Sequence, residues 1–207
     1  MSLFITFEGG EGCGKSVQAT ALYRKLSQLA IPVLLTHEPG GTPLGKQIGR
    51  WLKWAQDIDI SPLTELLLFN ASRSQLVTEV IQPALKNGKT VICDRYADST
   101  TIYQSYGRGL DLEMVRAINN AATQKLKPDL TVLLDISAED GLTRKKTRRD
   151  RFEQEDIAFH QRVHESYLKL ASEEPQRWLV IDATQSKEEI AQIIWRRVSE
   201  LLSREGD

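Results

Sequence analysis

The octapeptide GGEGCGKS, Gly9 to Ser16, decides the reading of this 207-residue chain. It fits G-x-x-x-x-G-K-[ST], directly follows the apolar run Leu3–Phe7, and opens a segment, Lys15–Leu29, with Ala19, Leu22, Leu26 and Leu29 at helical spacing. A strand, a glycine-rich turn and a helix in that order make a phosphate cradle. The glycines let successive backbone N–H groups turn inward, and the helix N-terminus adds partial positive charge. Gly9, Gly10, Glu11, Gly12, Cys13, Gly14, Lys15, Ser16 and Val17 are the expected nucleoside triphosphate-binding set. Within it Lys15 reaches the β- and γ-phosphates, and the Ser16 hydroxyl helps to hold Mg²⁺.

Outward from this loop, four more short apolar runs read as buried strands: Val33–Thr36, Thr90–Cys93, Leu130–Leu134 and Trp178–Ile181. Nearly continuous apolar character suits a parallel sheet covered on both faces. Helical period marks Leu63–Leu85, long enough to bend or break, and Leu112–Gln124 after Asp111. It also marks Ala138–Thr147 after Ser137 and Glu188–Leu202 after Ser186. The alternation predicts right-handed βαβ units. The expected fold is therefore a single three-layer α/β domain over residues 1–207: a P-loop NTPase fold with a five-stranded parallel sheet and helices on both faces.

A net charge of −1 argues against binding DNA or RNA through overall charge. The start has no signal-peptide pattern, and no apolar stretch approaches the roughly 20 residues needed to cross a bilayer. Cys13 and Cys93 make no disulfide framework. A cytoplasmic protein without nucleic-acid or membrane partners is expected.

Further motifs follow in order. Phe7-Glu8-Gly9 leads into the loop; then come Glu38-Pro39-Gly40-Gly41-Thr42, Phe69 with Ala71-Ser72-Arg73, and Asp94-Arg95-Tyr96. Gly107-Arg108-Gly109, Arg151-Phe152-Glu153 and Ile181-Asp182-Ala183 complete the set. In order and spacing, over nearly the whole chain, they resemble the thymidylate kinase family. The resemblance implies transfer of the γ-phosphoryl group of ATP to dTMP, giving dTDP and ADP for dTTP biosynthesis, with Mg²⁺ and as a homodimer. It implies a dTMP site of Glu11, Glu38, Pro39, Phe69, Arg73, Arg95, Ser99, Thr100, Tyr103 and Gln104. In that site Phe69 stacks on thymine and Arg73 hydrogen-bonds its O4; their i, i+4 spacing puts both on one helix face. Arg95 grips the acceptor phosphate, Tyr103 lies against the sugar and disfavours a 2′-hydroxyl, and Glu11 contacts the 3′-hydroxyl. Asp94 joins Ser16 in the Mg²⁺ shell. Without the resemblance, Asp94-Arg95 also reads as a structural salt bridge, and Phe69 and Arg73 as a core ring beside a surface ion pair. A kinase for another monophosphate and a regulatory NTPase are the alternatives, the second lacking the N-K-x-D guanine signature.

RKKTRRDR, residues 144 to 151, places six cations in eight positions. It could be a nucleic-acid patch, a solvated helix face or a clamp for a small anion, and no aromatic interleaving supports the first. Loop positions Gly10 to Cys13 carry no lysine or arginine. The resemblance therefore implies the family variant whose cations sit in a mobile lid, around 144–156. Arg148, Arg149 and Arg151 are expected to join Lys15 and Arg95 in catalysis, residues 144–146 forming a solvated face.

Some signals carry less. His160 and His164 have metal-pair spacing but lack a third ligand, so an exposed helix face is expected. Trp51, Leu52 and Trp54 read as core or subunit contact. Gly49 stands where the family commonly has an arginine, leaving the phosphate role to Arg50. Cys13, a thiol in a cationic nest, is expected to be reactive.

Overall fold

A computed structural model of the chain describes residues 2–55, 58–144 and 150–204. All five expected runs form strands: β1 (Phe4–Glu8), β2 (Val33–His37), β3 (Thr90–Asp94), β4 (Leu130–Asp135) and β5 (Trp178–Asp182). They make one parallel sheet in the order β2-β3-β1-β4-β5. Strand alternation sorts its two faces. Ile5 and Phe7 face α1 (Lys15–Gln28) and α9 (Lys187–Arg204), burying Leu22, Leu26, Ile190 and Ile194. Phe4 faces the opposite layer, with Leu76, Ile81 and Tyr96. β1 is central, and the order runs both ways from it, so the ligand crevice of an open α/β sheet lies at its carboxyl end.

Several helices begin where side-chain caps dictate. Asp111 Oδ1 accepts from Met114 N at 2.8 Å to start α6 (Leu112–Thr123), and Ser137 Oγ accepts from Asp140 N at 3.1 Å to start α7 (Ala138–Thr143). Ser186 and Glu189 form a reciprocal capping box at the start of α9. The long Leu63–Leu85 segment breaks, as its length suggested, into α3 (Pro62–Leu76), a π-helical turn over Val77–Ile81, and α4 (Gln82–Lys86). Pro83 has no N–H for the α-helical ladder, and a widened turn accommodates it.

Two elements were not foreseen as helices, and a third was expected only around His160 and His164. The two are α2 (Pro43–Trp54) and α5 (Ala97–Thr100), the latter running into a π-helix over Thr101–Gly107, and the third is α8 (Ile157–Glu173). Gly45 and Gly49 depress helix propensity in α2, yet packing needs them small. A Cβ at Gly45 would meet Gly40 O at 2.6 Å, and one at Gly49 would meet Pro39 O at 3.2 Å. α7 ends at Thr143, short of the expected Thr147; residues 145–149, including Arg148 and Arg149, lie outside the described residues.

α8 is a helix, but its histidines are not an exposed face. His160 is buried beside the Phe159 ring, and half-buried His164 pairs with Asp135 Oδ1 at 2.6 Å. Among the described residues no group of three or more His, Cys, Asp or Glu could hold a metal. Nor is any described helix long and apolar enough to cross a membrane.

Candidate active site

The turn after β1 takes left-handed backbone at Gly12, φ 70°, and Gly14, φ 97°, conformations that a side chain would strain. Lys15 folds onto its own loop: Nζ donates to Gly9 O at 3.0 Å and Gly10 O at 2.6 Å. Cys13 is 2% exposed and packs with Phe7, Leu134 and Ile136, and its Sγ accepts from Lys15 Nζ at 3.3 Å. The cationic neighbour expected of this thiol is present, but burial closes the sulfur to solvent. Cys13 and Cys93 are both free.

The loop forms one wall of a cleft of about 650 Å³. Glu11, Lys15 and Ser16 line it together with Glu38, Pro39, Phe69, Arg73, Asp94, Arg95, Ser99, Thr100, Tyr103 and Gln104. The fold thus brings the two residue sets, separate in sequence, around one space. The Ser16 hydroxyl donates to the Asp94 carboxylate at the end of β3. A hydroxyl and a carboxylate beside a phosphate loop are the hard oxygen donors Mg²⁺ takes, substrate phosphates and water completing its shell.

Arg95 follows β3 in the left-handed region, φ 68°. Its Nη2 lies 2.5 Å from Glu11 Oε1, and Tyr103 donates to the same oxygen at 3.0 Å. Burial pushes the Tyr103 hydroxyl well above the usual tyrosine range, so it stays a neutral donor. Glu8, fully buried at the end of β1, braces this turn. Its oxygens accept from Tyr96 N at 2.8 Å, Ser99 Oγ at 2.5 Å and Tyr167 Oη at 2.9 Å. Burial, and then the Asp98 charge, raise the Glu8 carboxyl to about 7. In the sequence Glu8 figured only within the Phe7-Glu8-Gly9 motif, with no role of its own.

Phe69 and Arg73 share a face of α3. Phe69 packs on Phe152, centroids 5.6 Å apart. Arg73 is 1% exposed and pairs with Glu38 Oε2 at 2.7 Å. The five N–H groups of a guanidinium are all engaged here: Nε to Glu38, Nη1 to Asn70 and Asn119, Nη2 to Tyr96 O and the Thr100 hydroxyl. It is an internal hub, not a surface ion pair.

Two other cations depart from expectation. Arg50 is exposed and does not line the cleft, whereas Lys53, three residues on, does. Arg151 is held outside the cleft: N donates to Lys53 O at 3.1 Å, Nε to Leu52 O at 3.0 Å, and Nη2 pairs with Glu65 Oε2 at 2.5 Å. Glu65, fully buried, also accepts from Gln104 Nε2 at 2.8 Å and Arg108 Nε at 3.2 Å. Neither Lys53 nor Glu65 stood out in the sequence, where each is one charged residue outside every quoted motif.

Comparison with known proteins agrees with this geometry. The family model for thymidylate kinase matches residues 7–194. A thymidylate kinase from Dehalococcoides mccartyi is 56% identical over 203 residues, covering 98% of both chains. One from Deinococcus radiodurans is 50% identical over 200 residues, covering 96% of this chain and 97% of that one. The crystal structure of thymidylate kinase from Ehrlichia chaffeensis superposes with a TM-score of 0.78 at 33% identity, covering 95% of this chain and 98% of that one. A match across the phosphate loop, the cleft and nearly all of the sheet leaves one assignment: the chain belongs to the thymidylate kinase family.

Proposed function

We infer that the cleft is where the γ-phosphoryl group of ATP passes to dTMP, giving dTDP and ADP, and that its residues divide the work as follows. The observation that carries this is the single cleft lined both by the phosphate loop and by Phe69, Arg73, Arg95 and Tyr103. ATP takes the loop from Gly9 to Val17, and Lys15 exchanges the Gly9 and Gly10 carbonyls for phosphate oxygens. Ser16 and Asp94 hold Mg²⁺, whose chemistry is neutralisation of charge on the β- and γ-oxygens. dTMP lies across Phe69 and Tyr103. Arg73 is fixed by Glu38 and offers Nη2 to thymine O4 in exchange with the Thr100 hydroxyl. Pro39, Ser99 and Gln104 complete the pocket.

Arg95 turns from Glu11 to the acceptor phosphate, freeing Glu11 for the sugar 3′-hydroxyl. Phosphoryl transfer then needs alignment and charge stabilisation in place of a strong base. Residues 144–156 act as the lid, closing Arg148, Arg149 and Arg151 toward the transferring group, the variant with cations in the lid and none in the loop. In this reading residues 1–207 form one kinase domain that works in the cytoplasm. It dimerises with a second copy through α2 and α3, where Leu44, Trp51, Leu63 and Leu67 are exposed.

Release of ADP with Mg·ATP and each of dTMP, dUMP, ribothymidine monophosphate, dCMP, AMP, GMP or no acceptor tests the reading. Expected are strong turnover with dTMP, weaker turnover with dUMP, and almost none without acceptor. Turnover indifferent to acceptor contradicts it.

A further inference from the structure

Four cations line the cleft among the described residues: Lys15, Lys53, Arg73 and Arg95. Three have internal partners. Lys15 is satisfied by loop carbonyls, Arg73 by Glu38 and its neighbours, and Arg95 by Glu11. The Lys53 ammonium makes no hydrogen bond or ion pair to any described residue. It is nonetheless largely removed from water, and the charges around it are Arg95, Asp150, Glu11 and Asp94. None of the three carboxylates closes an ion pair with it, so a bound anion can take its N–H groups without breaking a contact.

α2 explains how this lysine arrives there. Gly49 packs on Pro39, with so little room that a Cβ would lie 3.2 Å from Pro39 O and 3.4 Å from its ring. A long side chain at position 49 would start from inside that contact. Lys53 is one turn further along the same helix face, at i+4, beyond the proline, and its stem reaches the cleft from there. Its backbone is pinned, since Leu52 O and Lys53 O both hold Arg151. The ammonium is therefore delivered from an anchored helix end beside Arg95.

We propose that Lys53 is a direct ligand of the acceptor monophosphate, completing with Arg95 a two-cation clamp on that group. The proposal rests on the acceptor site described above. It assigns Lys53 to the phosphate and not to the base, because Arg95 and Asp94 are among the charges around it while Phe69 and Arg73 lie on α3. It also separates Lys53 from Arg50, which faces solvent.

The test compares ligands with and without the phosphate. Calorimetry on wild type, Lys53→Met and Lys53→Arg is run with dTMP, thymidine and Mg·ATP, alongside steady-state kinetics. Losing a charge-assisted contact in Lys53→Met should weaken dTMP binding about 10- to 100-fold while thymidine and ATP binding stay unchanged. Lys53→Arg should recover most of the loss. Equal weakening for dTMP and thymidine would mean that Lys53 only shapes the cleft, and unchanged dTMP binding would mean that it touches no phosphate; either overturns the proposal. A wild type that prefers another monophosphate overturns the acceptor reading instead. The same phosphate-against-nucleoside comparison, made with that acceptor, then decides Lys53.

Discussion

Glu65 and Arg151 meet at 2.5 Å, and through that contact α3 holds the start of the segment that leads into α8. The same buried carboxylate holds the Gln104 amide, and Glu65 lies one turn before Phe69 on α3. One negative charge thus serves Arg151, Arg108 and a pocket amide together.

Glu65→Gln should cost about 3 kcal/mol of stability, since it takes the carboxylate from the largely buried Arg151 guanidinium while Arg108 keeps Glu155. If the carboxylate also sets where Arg151 sits, kcat falls as well, and the loss in Glu65→Gln does not add to the loss in Arg151→Ala. Additive losses in kcat would confine Glu65 to a purely structural role.

Arg95→Met should lower kcat/KM for dTMP at least 100-fold, the scale of removing one preorganised charge from a phosphoryl-transfer site. Binding of Mg·ATP alone should stay close to wild type, because Arg95 meets the loop only at the Glu11 carboxylate and the Gly9 carbonyl, oxygens that do not bind phosphate. Loss of ATP binding in a folded variant would place Arg95 on the wrong substrate.

Glu8 makes stability depend on pH. Its folded pKa, about 7, lies above the ordinary glutamate value of 4.5. Below the ordinary value both states are protonated and nothing is lost. As pH rises from there to about 7 the unfolded chain ionises first, so folding weakens by on the order of 3 kcal/mol. Glu8→Gln cannot ionise, so its melting temperature should gain on wild type across that window and run parallel outside it. Parallel curves throughout would contradict a neutral Glu8.

A maleimide should leave the native enzyme active. Cys13 and Cys93 are 2% and 0% exposed, so both thiols should titrate only after denaturation. Rapid labelling of Cys13 with ATP-protectable inactivation would show that the loop opens in solution.

Phosphate binding and the fold class were legible because both depend on local patterns. GGEGCGKS needs its glycines for backbone geometry wherever it occurs, and five apolar runs separated by helical segments admit few topologies. Some motif residues, such as Phe69 and Arg73, could also be paired by helical spacing alone. Charge placement was not legible in this way. Nothing in the order of residues says that Cys13 turns into the core, that Glu8 is braced beneath Arg95, or that Glu65 is shared between two arginines and an amide.

Lys53 shows the reason. In sequence it is one lysine among tryptophans, and Arg50 stands nearer the position where the family keeps a cation. Which of the two reaches the cleft depends on the rotation of α2 against Pro39, set by the close approach of Gly45 and Gly49. The sequence by itself determined that a parallel sheet ends in a phosphate loop, because glycine conformation and apolar period act over a few residues. Only the tertiary structure decided which charges face the substrate and which face each other. Burial and pairing arise between segments far apart in the chain, and helix packing turns a side chain toward the ligand or toward water.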